Sequence, residues 1–375
     1  MKFVSNVNPF NSVFARLITL IPMVMLTACV YRMEVRSMEA IEVLPLSEES
    51  RAFDVNNNGF IVGESTSGSY LKHAIMVSPA SEVTNLGTLE TGWHSVAHGI
   101  NNNNEVVGRS YIVGSDGRVS QYKGFFWRAG RINDLGGIGK RINDNGLAGG
   151  TSELSGMIYD INDIDPATTL PSKESVRIDG EFRPSRVNDI NNIDGYVGWF
   201  SEDVAFYNRE GTTYRYKISS VADSEATGVT EWGSACGVEA FRNETTGQTN
   251  YHAVFWPTFN TIIDLGTLGG RHSRATDINS SQVVVGYSDT ASGRVEAFAW
   301  HEDVGMIPLG TLAGGESKAH TAPTGSHSTY RVRSFIATLV SLWLSTLKSE
   351  IPYNNAINSS TTSSFNANKV NVALN

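Results

Sequence analysis

Hydrophobic positions in this chain come in short bursts. Between residues 50 and 319 the apolar pieces are rich in Val, Ile, Phe and Trp, and Gly, Asn or Asp closes each one. Short runs of β-branched and aromatic residues bounded this way predict strands, not helices. Asn58-Gly59, Asn145-Gly146 and Asp194-Gly195 add turn pairs that accept positive φ.

The bursts repeat. An apolar pair followed by glycine occurs as Ile61-Val62-Gly63, Val106-Val107-Gly108, Tyr196-Val197-Gly198 and Val284-Val285-Gly286, with weaker copies at Leu147-Ala148-Gly149 and Ala235-Cys236-Gly237. Successive glycines lie 45, 41, 49, 39 and 49 residues apart. Eight residues before them stand Val55, Ile100, Ile190, Val229 and Ile278, while the third unit uses Ile142, one residue closer. Asn56, Asn101, Asn143, Asn191 and Asn279 follow, and Thr230 takes that place in the remaining unit. A second element is aromatic, as in Gly124-Phe125-Phe126-Trp127 and Ala253-Val254-Phe255-Trp256. A third reads Leu86-Gly87-Thr88-Leu89, Leu135-Gly136-Gly137-Ile138, Leu265-Gly266-Thr267-Leu268 and Leu309-Gly310-Thr311-Leu312.

A unit of about 45 residues holds three or four short strands and cannot bury both of its faces alone. Neighbours must stack, and this period favours a β-propeller over a β-helix, whose coils are shorter. The expected fold is all-β, a β-propeller-like array of about six blades over residues 41–319. Seven blades or an open array stay possible. Ile41 to Leu46 reads as a further copy of the Leu-Gly strand, and a strand from the far terminus commonly closes such rings.

These units resemble the HAF family of bacterial extracellular repeats, named for a His-Ala-Phe motif. Its pattern runs Ala-x-x-Ile-Asn, Gly-x-Val-Val-Gly, His-Ala-Phe-x-Trp and Asp-Leu-Gly-Thr-Leu-Gly-Gly. Asp264 to Gly270, Ala275, Ile278-Asn279 and Val284-Val285-Gly286 match it well. The resemblance covers about 50–319 and is weakest over 150–250, where the Leu-Gly-Thr-Leu element is lost. It implies an extracellular location and no particular activity.

Composition sharpens the edges of the array. The chain has 375 residues and 36 glycines; none precedes Gly59, and only Gly325 follows Gly315. The N-terminal segment carries Lys2 and Arg16, then the apolar run Leu17 to Met25, then Leu26-Thr27-Ala28-Cys29. That order describes a signal peptide over 1–28, too short in its apolar part to span a bilayer. Leu-Thr-Ala-Cys resembles the lipobox of bacterial lipoproteins. The resemblance implies a lipid-modified, palmitate-bearing Cys29 at the start of the mature chain. Residues 29–40 would be a linker, and the several acyl chains would anchor the protein stably, in the outer membrane or at the cell surface. Beyond residue 319 the period breaks at His320-Thr321-Ala322-Pro323. Residues 320–375 are expected to be a divergent tail, a short helix within 334–351 followed by disorder. A frame change near residue 320 would account for the break.

The formal net charge of −9 argues against a sequence-independent nucleic-acid binder. Two cysteines cannot build a disulfide scaffold, and Cys236 occupies an apolar slot. Asp54, Asn56 and Asn58, followed by Gly59, match the first half of a calcium loop, although Ser65 stands where a bidentate Glu is expected. The competing reading is an Asx-type turn. His94 and His98 have a spacing that holds zinc on a helix, but His94 shares its repeat slot with His272, and His73 with His252. Packing or hydrogen bonding within the repeat explains them better. No nucleophile elbow, Walker loop or dinucleotide fingerprint is present. The expected function is a surface-anchored, non-enzymatic scaffold that binds a protein or glycan, with no cofactor beyond the calcium possibility. The alternative is an extracytoplasmic propeller hydrolase or lyase. A convergent cluster of acids or histidines at the propeller mouth would favour it.

Overall fold

The computed structural model describes residues 50–322, short internal stretches aside, and strands at 39–41, 328–334, 339–344 and 372–374. Residues 1–38, with the expected signal peptide and Cys29, lie outside the described residues.

Six four-stranded antiparallel sheets follow one another along the chain, each a simple meander. Blade 1 comprises Ser50–Val55, Ile61–Ser67, Leu71–Val77 and Val83–Gly87. Blade 2 comprises His94–Ile100, Val106–Val113, Val119–Arg128 and Arg131–Asp134. Blade 3 comprises Ile138–Ile142, Leu147–Ser152, Ser155–Ile164 and Pro171–Ser175. A two-stranded hairpin, Arg177–Ile178 with Glu181–Phe182, leads to blade 4. That blade comprises Ser185–Ile190, Tyr196–Phe200, Val204–Asn208 and Arg215–Lys217. Blade 5 comprises Glu225–Val229, Ala235–Arg242, Thr249–Thr258 and Thr261–Asp264. Blade 6 comprises Gly269–Ile278, Val284–Thr290, Val295–His301 and Gly305–Gly310. The propeller-like array expected from the repeat is the observed fold.

The core lies between blades, because each sheet has an apolar face with no partner of its own. Val62, Ala74, Met76 and Leu86 of blade 1 pack with Ala97, Ile100, Val106 and Phe125 of blade 2. Phe255 of blade 5 meets Trp300 of blade 6 with ring centroids 5.6 Å apart. The aromatic third strands thus fill the blade interfaces, where burial of one such ring contributes about 2–3 kcal/mol.

The repeated glycine has a steric cause. Every first strand carries a one-residue bulge, for example Phe53 between Ala52 and Asp54, and Gly63 pairs with Ala52. A Cβ on Gly63 would lie 1.8 Å from the Arg51 carbonyl oxygen, and one on Gly286 would lie 2.0 Å from that of Arg274. The bulge pushes the backbone of the first strand into the space a side chain needs. In blade 3 the residue in this position is Gly150, whose Cβ would lie 2.0 Å from Ile138 O, while Gly149 pairs with Arg141. The repeat landmark in that unit is therefore Gly150 in place of Gly149, which restores the eight-residue spacing from Ile142.

The ring has a seventh position. Ser317–Ala319 packs against blade 6, and the strands Ser328–Ser334, Leu339–Leu344 and Glu39–Ile41 extend it into one antiparallel sheet. A strand from near the N-terminus thus pairs with strands of the C-terminal tail. Val372–Leu374 adds a parallel pairing to Leu339–Leu344. Where a short helix was expected, Leu339–Leu344 is a strand. Left unpaired, the edge of Ser317–Ala319 would expose its backbone donors and acceptors, and Ser328–Ser334 satisfies them. The Thr321 hydroxyl lies 3.1 Å from Asp54 Oδ1 and 2.9 Å from Asp277 Oδ2, joining the last position to both blade 1 and blade 6.

Candidate functional site: two mouths of one channel

The first strands line the channel, and their two ends form its mouths. At one mouth the Asn of each repeat starts the turn into the second strand. Asn101 Oδ1 accepts from the backbone N–H of Asn103 and Glu105 in its own turn. Its Nδ2 donates to the Asn143 carbonyl of the next blade at 2.9 Å. Asn56 donates to Asn101 O, Asn143 to Asn191 O and Asn191 to Thr230 O in the same way. A second rung joins the Asn57, Asn102, Asp144 and Asn192 amides to the side chains of Asn102, Asp144, Asn192 and Glu231. One side chain closes its own turn and staples the next blade.

Four further groups converge behind this ladder. Asp54 Oδ2 accepts from Ile100 N, Asp189 Oδ2 from Val229 N and Asp277 Oδ2 from Ala322 N, each in the adjacent ring position. Arg141 lies 3.8 Å from Asp54 and 4.0 Å from Asp189. Burial, reinforced by the Asp277 carboxylate, pushes Asp189 up to about 8, against the pull of Arg141. Burial also raises Asp277.

The opposite mouth is lined by the six bulge residues Phe53, His98, Lys140, Asn188, Thr227 and Thr276, and by His320, which follows the strand Ser317–Ala319. They enclose a cavity of about 270 Å³. Asn188 donates to Ala226 O, Thr227 to Ala275 O and Thr276 to Ala319 O, and His98 Nδ1 lies 2.9 Å from Gly139 O. These four bulge residues thus bond the same backbone position of the next strand. Lys140 makes no such bond. Burial and the neighbouring Lys140 charge hold His98 down to about 3, so it stays neutral.

From this mouth a larger cleft of about 650 Å³ opens outward across blades 4, 5 and 6. Its lining includes Trp199, Tyr251 and Tyr287 together with Arg186, Arg274 and Asp289. Glu225 and Arg274 border both spaces, so cleft and channel cavity adjoin. Trp199 lies beneath the Arg186 guanidinium, 5.6 Å from ring centroid to carbon. Trp199 and Tyr287 occupy one repeat position, the residue after the second-strand glycine.

Neither a protein-family model nor a curated protein matches the chain. Solved structures similar at low identity include the following three. Virginiamycin B lyase from Staphylococcus aureus aligns at 10% identity over 83% of this chain and 99% of that one, with a TM-score of 0.42. The extracellular domain of a hybrid two-component system from B. thetaiotaomicron aligns at 8% identity over 84% of this chain and 40% of that one, with a TM-score of 0.48. SapL1 lectin in complex with alpha methyl fucoside aligns at 9% identity over 78% of this chain and 91% of that one, with a TM-score of 0.30. The propeller assignment itself rests on the sheet topology above.

The residues singled out in the sequence have definite places. Asp54, Asn56 and Asn58 sit at the turn mouth, but their polar atoms face separate backbone partners. Asp54 accepts from Val55 and Ile100, Asn56 Oδ1 accepts from Asn58 and Phe60, and Asn58 Nδ2 donates to Asn102 O. Among the described residues no group of three or more His, Cys, Asp or Glu is placed to hold a metal ion. His94 and His272 accept the same bond, from Lys72 N and Tyr251 N. Cys236 is buried and unbridged, and burial pushes its thiol up. Sequence reasoning missed the cleft, because its lining comes from three separate repeats. A visible signal was Trp199 and Tyr287 following the repeat glycine.

Proposed function

We propose that this chain is a non-enzymatic binding scaffold held at the cell envelope, and that its ligand occupies the cleft across blades 4–6. One observation carries this reading: a 650 Å³ cleft lined by Trp199, Tyr251 and Tyr287 beside charged and hydrogen-bonding side chains. Concave sites that mix flat apolar surface with a few polar groups are the usual form of a small-ligand site. HAF-type repeats would supply the scaffold. A lipid on Cys29 would supply the outer-membrane or cell-surface anchor, with the blades facing away from the bilayer.

The hydrolase or lyase reading required convergent acids or histidines. Asp54, Asp189 and Asp277 do converge, but their oxygens accept from backbone amides of adjacent ring positions and surround Arg141. That cluster supports ring closure better than proton transfer. Binding of the wild-type chain to a glycan array, repeated with Trp199→Ala, tests the cleft. Loss of the signal is expected, and undiminished binding by the variant would move the ligand elsewhere. Incorporation of a fatty-acid probe, lost in Cys29→Ala, tests the anchor.

A further inference from the structure

We propose that the ligand is an acidic saccharide whose carboxylate is received at the channel mouth by Lys140 and Arg186, with Arg109 beside them. This rests on the cleft reading above and names the ligand class.

The inference starts from charge that is left over. Other cations near this mouth are paired: Arg51 with Glu64 at 3.4 Å, Arg274 with Glu225 at 2.7 Å, and Arg141 with the buried aspartates. Lys140, Arg186 and Arg109 have no carboxylate within ion-pair distance among the described residues; Arg186 and Arg109 rest over the rings of Trp199 and Tyr111, and Glu225 acts on Lys140 only from farther off. The Arg109 Nε is buried without a hydrogen bond there. Lys140 lines the channel cavity and Arg186 the adjoining cleft, and the charges of Arg186 and Arg109 both act on Lys140, in a protein whose net charge is −9. At the channel cavity Lys140, Arg141 and Arg274 face one carboxylate, Glu225, and such a local excess of positive charge concentrates an anionic group there.

Lys140 is also the bulge residue that breaks the stapling pattern. Asn188, Thr227 and Thr276 spend their side chains on the next strand, whereas Lys140 projects into the 270 Å³ cavity. Burial and the charges of Arg109, Arg186 and Arg141 hold its ammonium down to about 8. A carboxylate placed there would relieve that mutual repulsion, and Arg186 offers the planar fork that suits carboxylate.

The neighbouring cleft narrows the class to a sugar. Trp199, Tyr251 and Tyr287 line the cleft, with Arg186 over the first ring, His272 beside the second and Lys318 over the third. The remaining ring surface suits the C–H faces of pyranose rings, while Asp223 and His272 lie at hand for hydroxyls. An acidic peptide would use the same cations but would gain less from this aromatic lining.

Calorimetric titration of the wild-type chain with trigalacturonate and with its methyl ester separates charge from shape. The acid is expected to bind about tenfold tighter than the ester and to weaken with salt. Lys140→Met and Arg186→Gln should each remove about tenfold of the acid's affinity and leave the ester's unchanged. Arg186 is exposed, so its variant keeps the test valid if Lys140→Met fails to fold. Equal binding of acid and ester, or acid binding indifferent to both variants, overturns the carboxylate assignment while the cleft reading stands. Binding of neither compound also overturns it, and the array with Trp199→Ala then decides the cleft reading independently.

Discussion

The two mouths of the channel are built by the same seven first strands, yet they treat polar groups in opposite ways. At the turn mouth nearly every Asn and Asp is engaged twice, once by its own turn and once by the next blade. At the bulge mouth Asn188, Thr227 and Thr276 are engaged, but Lys140 is not, and nearby Arg186 and Arg109 meet only the rings of Trp199 and Tyr111. Polar groups consumed by neighbours stabilise a ring. Polar groups left over in a concave, aromatic-lined space remain open to an outside partner.

This contrast can be broken from either side. Asn101→Ala should have the largest effect on stability. It removes a buried side chain that serves two amides of its own turn and one carbonyl of the next blade. A loss of about 2–4 kcal/mol is expected in urea unfolding, with affinity of the folded protein unchanged. A loss below about 0.5 kcal/mol would show that the ladder contributes little.

Trp199→Ala should do the reverse, costing about tenfold or more in ligand affinity while unfolding shifts by less than about 1 kcal/mol, because Trp199 is half-buried on the cleft wall. A large stability loss with intact binding would make Trp199 part of the core.

The aspartate cluster predicts a pH signature for the turn mouth. Asp189 is held up to about 8 by burial and by Asp277, so the folded chain keeps a proton that the unfolded chain gives up near its ordinary value of 3.8. Its contribution is fully present below that ordinary value and is lost as pH rises towards 8. Thermal unfolding should therefore occur at a higher temperature at pH 6.5 than at pH 8, and Asp189→Asn should flatten the difference. That window stays above the range in which His98, held down to about 3 from its ordinary 6.5, lowers stability as pH falls. Lys140 does not blur this window. Its folded value of about 8 lies below the ordinary 10.5, so its contribution to stability grows only from pH 8 upward. An unchanged slope in Asp189→Asn would assign the pH dependence to another group.

The smallest effect is expected at Trp232, 78% exposed in a turn at the stapled mouth. Trp232→Ala should change unfolding by less than about 0.5 kcal/mol and leave saccharide binding intact. A binding defect there would place a ligand on the wrong mouth and undo the comparison.

Much of the fold was legible in the chain, and particular residues show why. The glycine after Val-Val is forced by a backbone oxygen within about 2 Å of its missing Cβ, a local demand that recurs in every blade. In Leu-Gly, Gly87, Gly136, Gly266 and Gly310 have φ of +82°, +74°, +73° and +81°, the left-handed region that favours glycine. Blade 3 was read one residue out of register, because Gly149 and Gly150 stand side by side and only pairing with Arg141 or Gly139 separates them. The buried serines were overlooked. Ser95, Ser273 and Ser317 each accept from the preceding blade's third strand and donate to its Leu-Gly carbonyl. Their Ser-x-Ala spacing was visible, but its partner lies in the preceding unit.

The candidate site was less legible. Asp54, Asn56 and Asn58 fit half of a calcium loop and an Asx-type turn alike, because both need short oxygen-bearing side chains at alternate positions. Asn56 and Asn58 each find a donor or acceptor partner in the adjacent blade, which no single repeat reveals. Lys140 and Arg186 lie in different repeats and at unlike positions, so no period marks them as a pair.

The amino-acid sequence by itself determined the strand unit, its length, its turns and the residues that pack between units, since each depends on contacts within about 45 residues. Only the tertiary structure decided that the ring has a seventh position shared by both ends of the chain. It also decided which polar side chains the neighbouring blades consume. Those outcomes depend on closure, which joins Thr321 to Asp54 across 267 residues. A repeat carries the rule for meeting its neighbour, but not the number of neighbours or the charge left facing the channel when the circle closes.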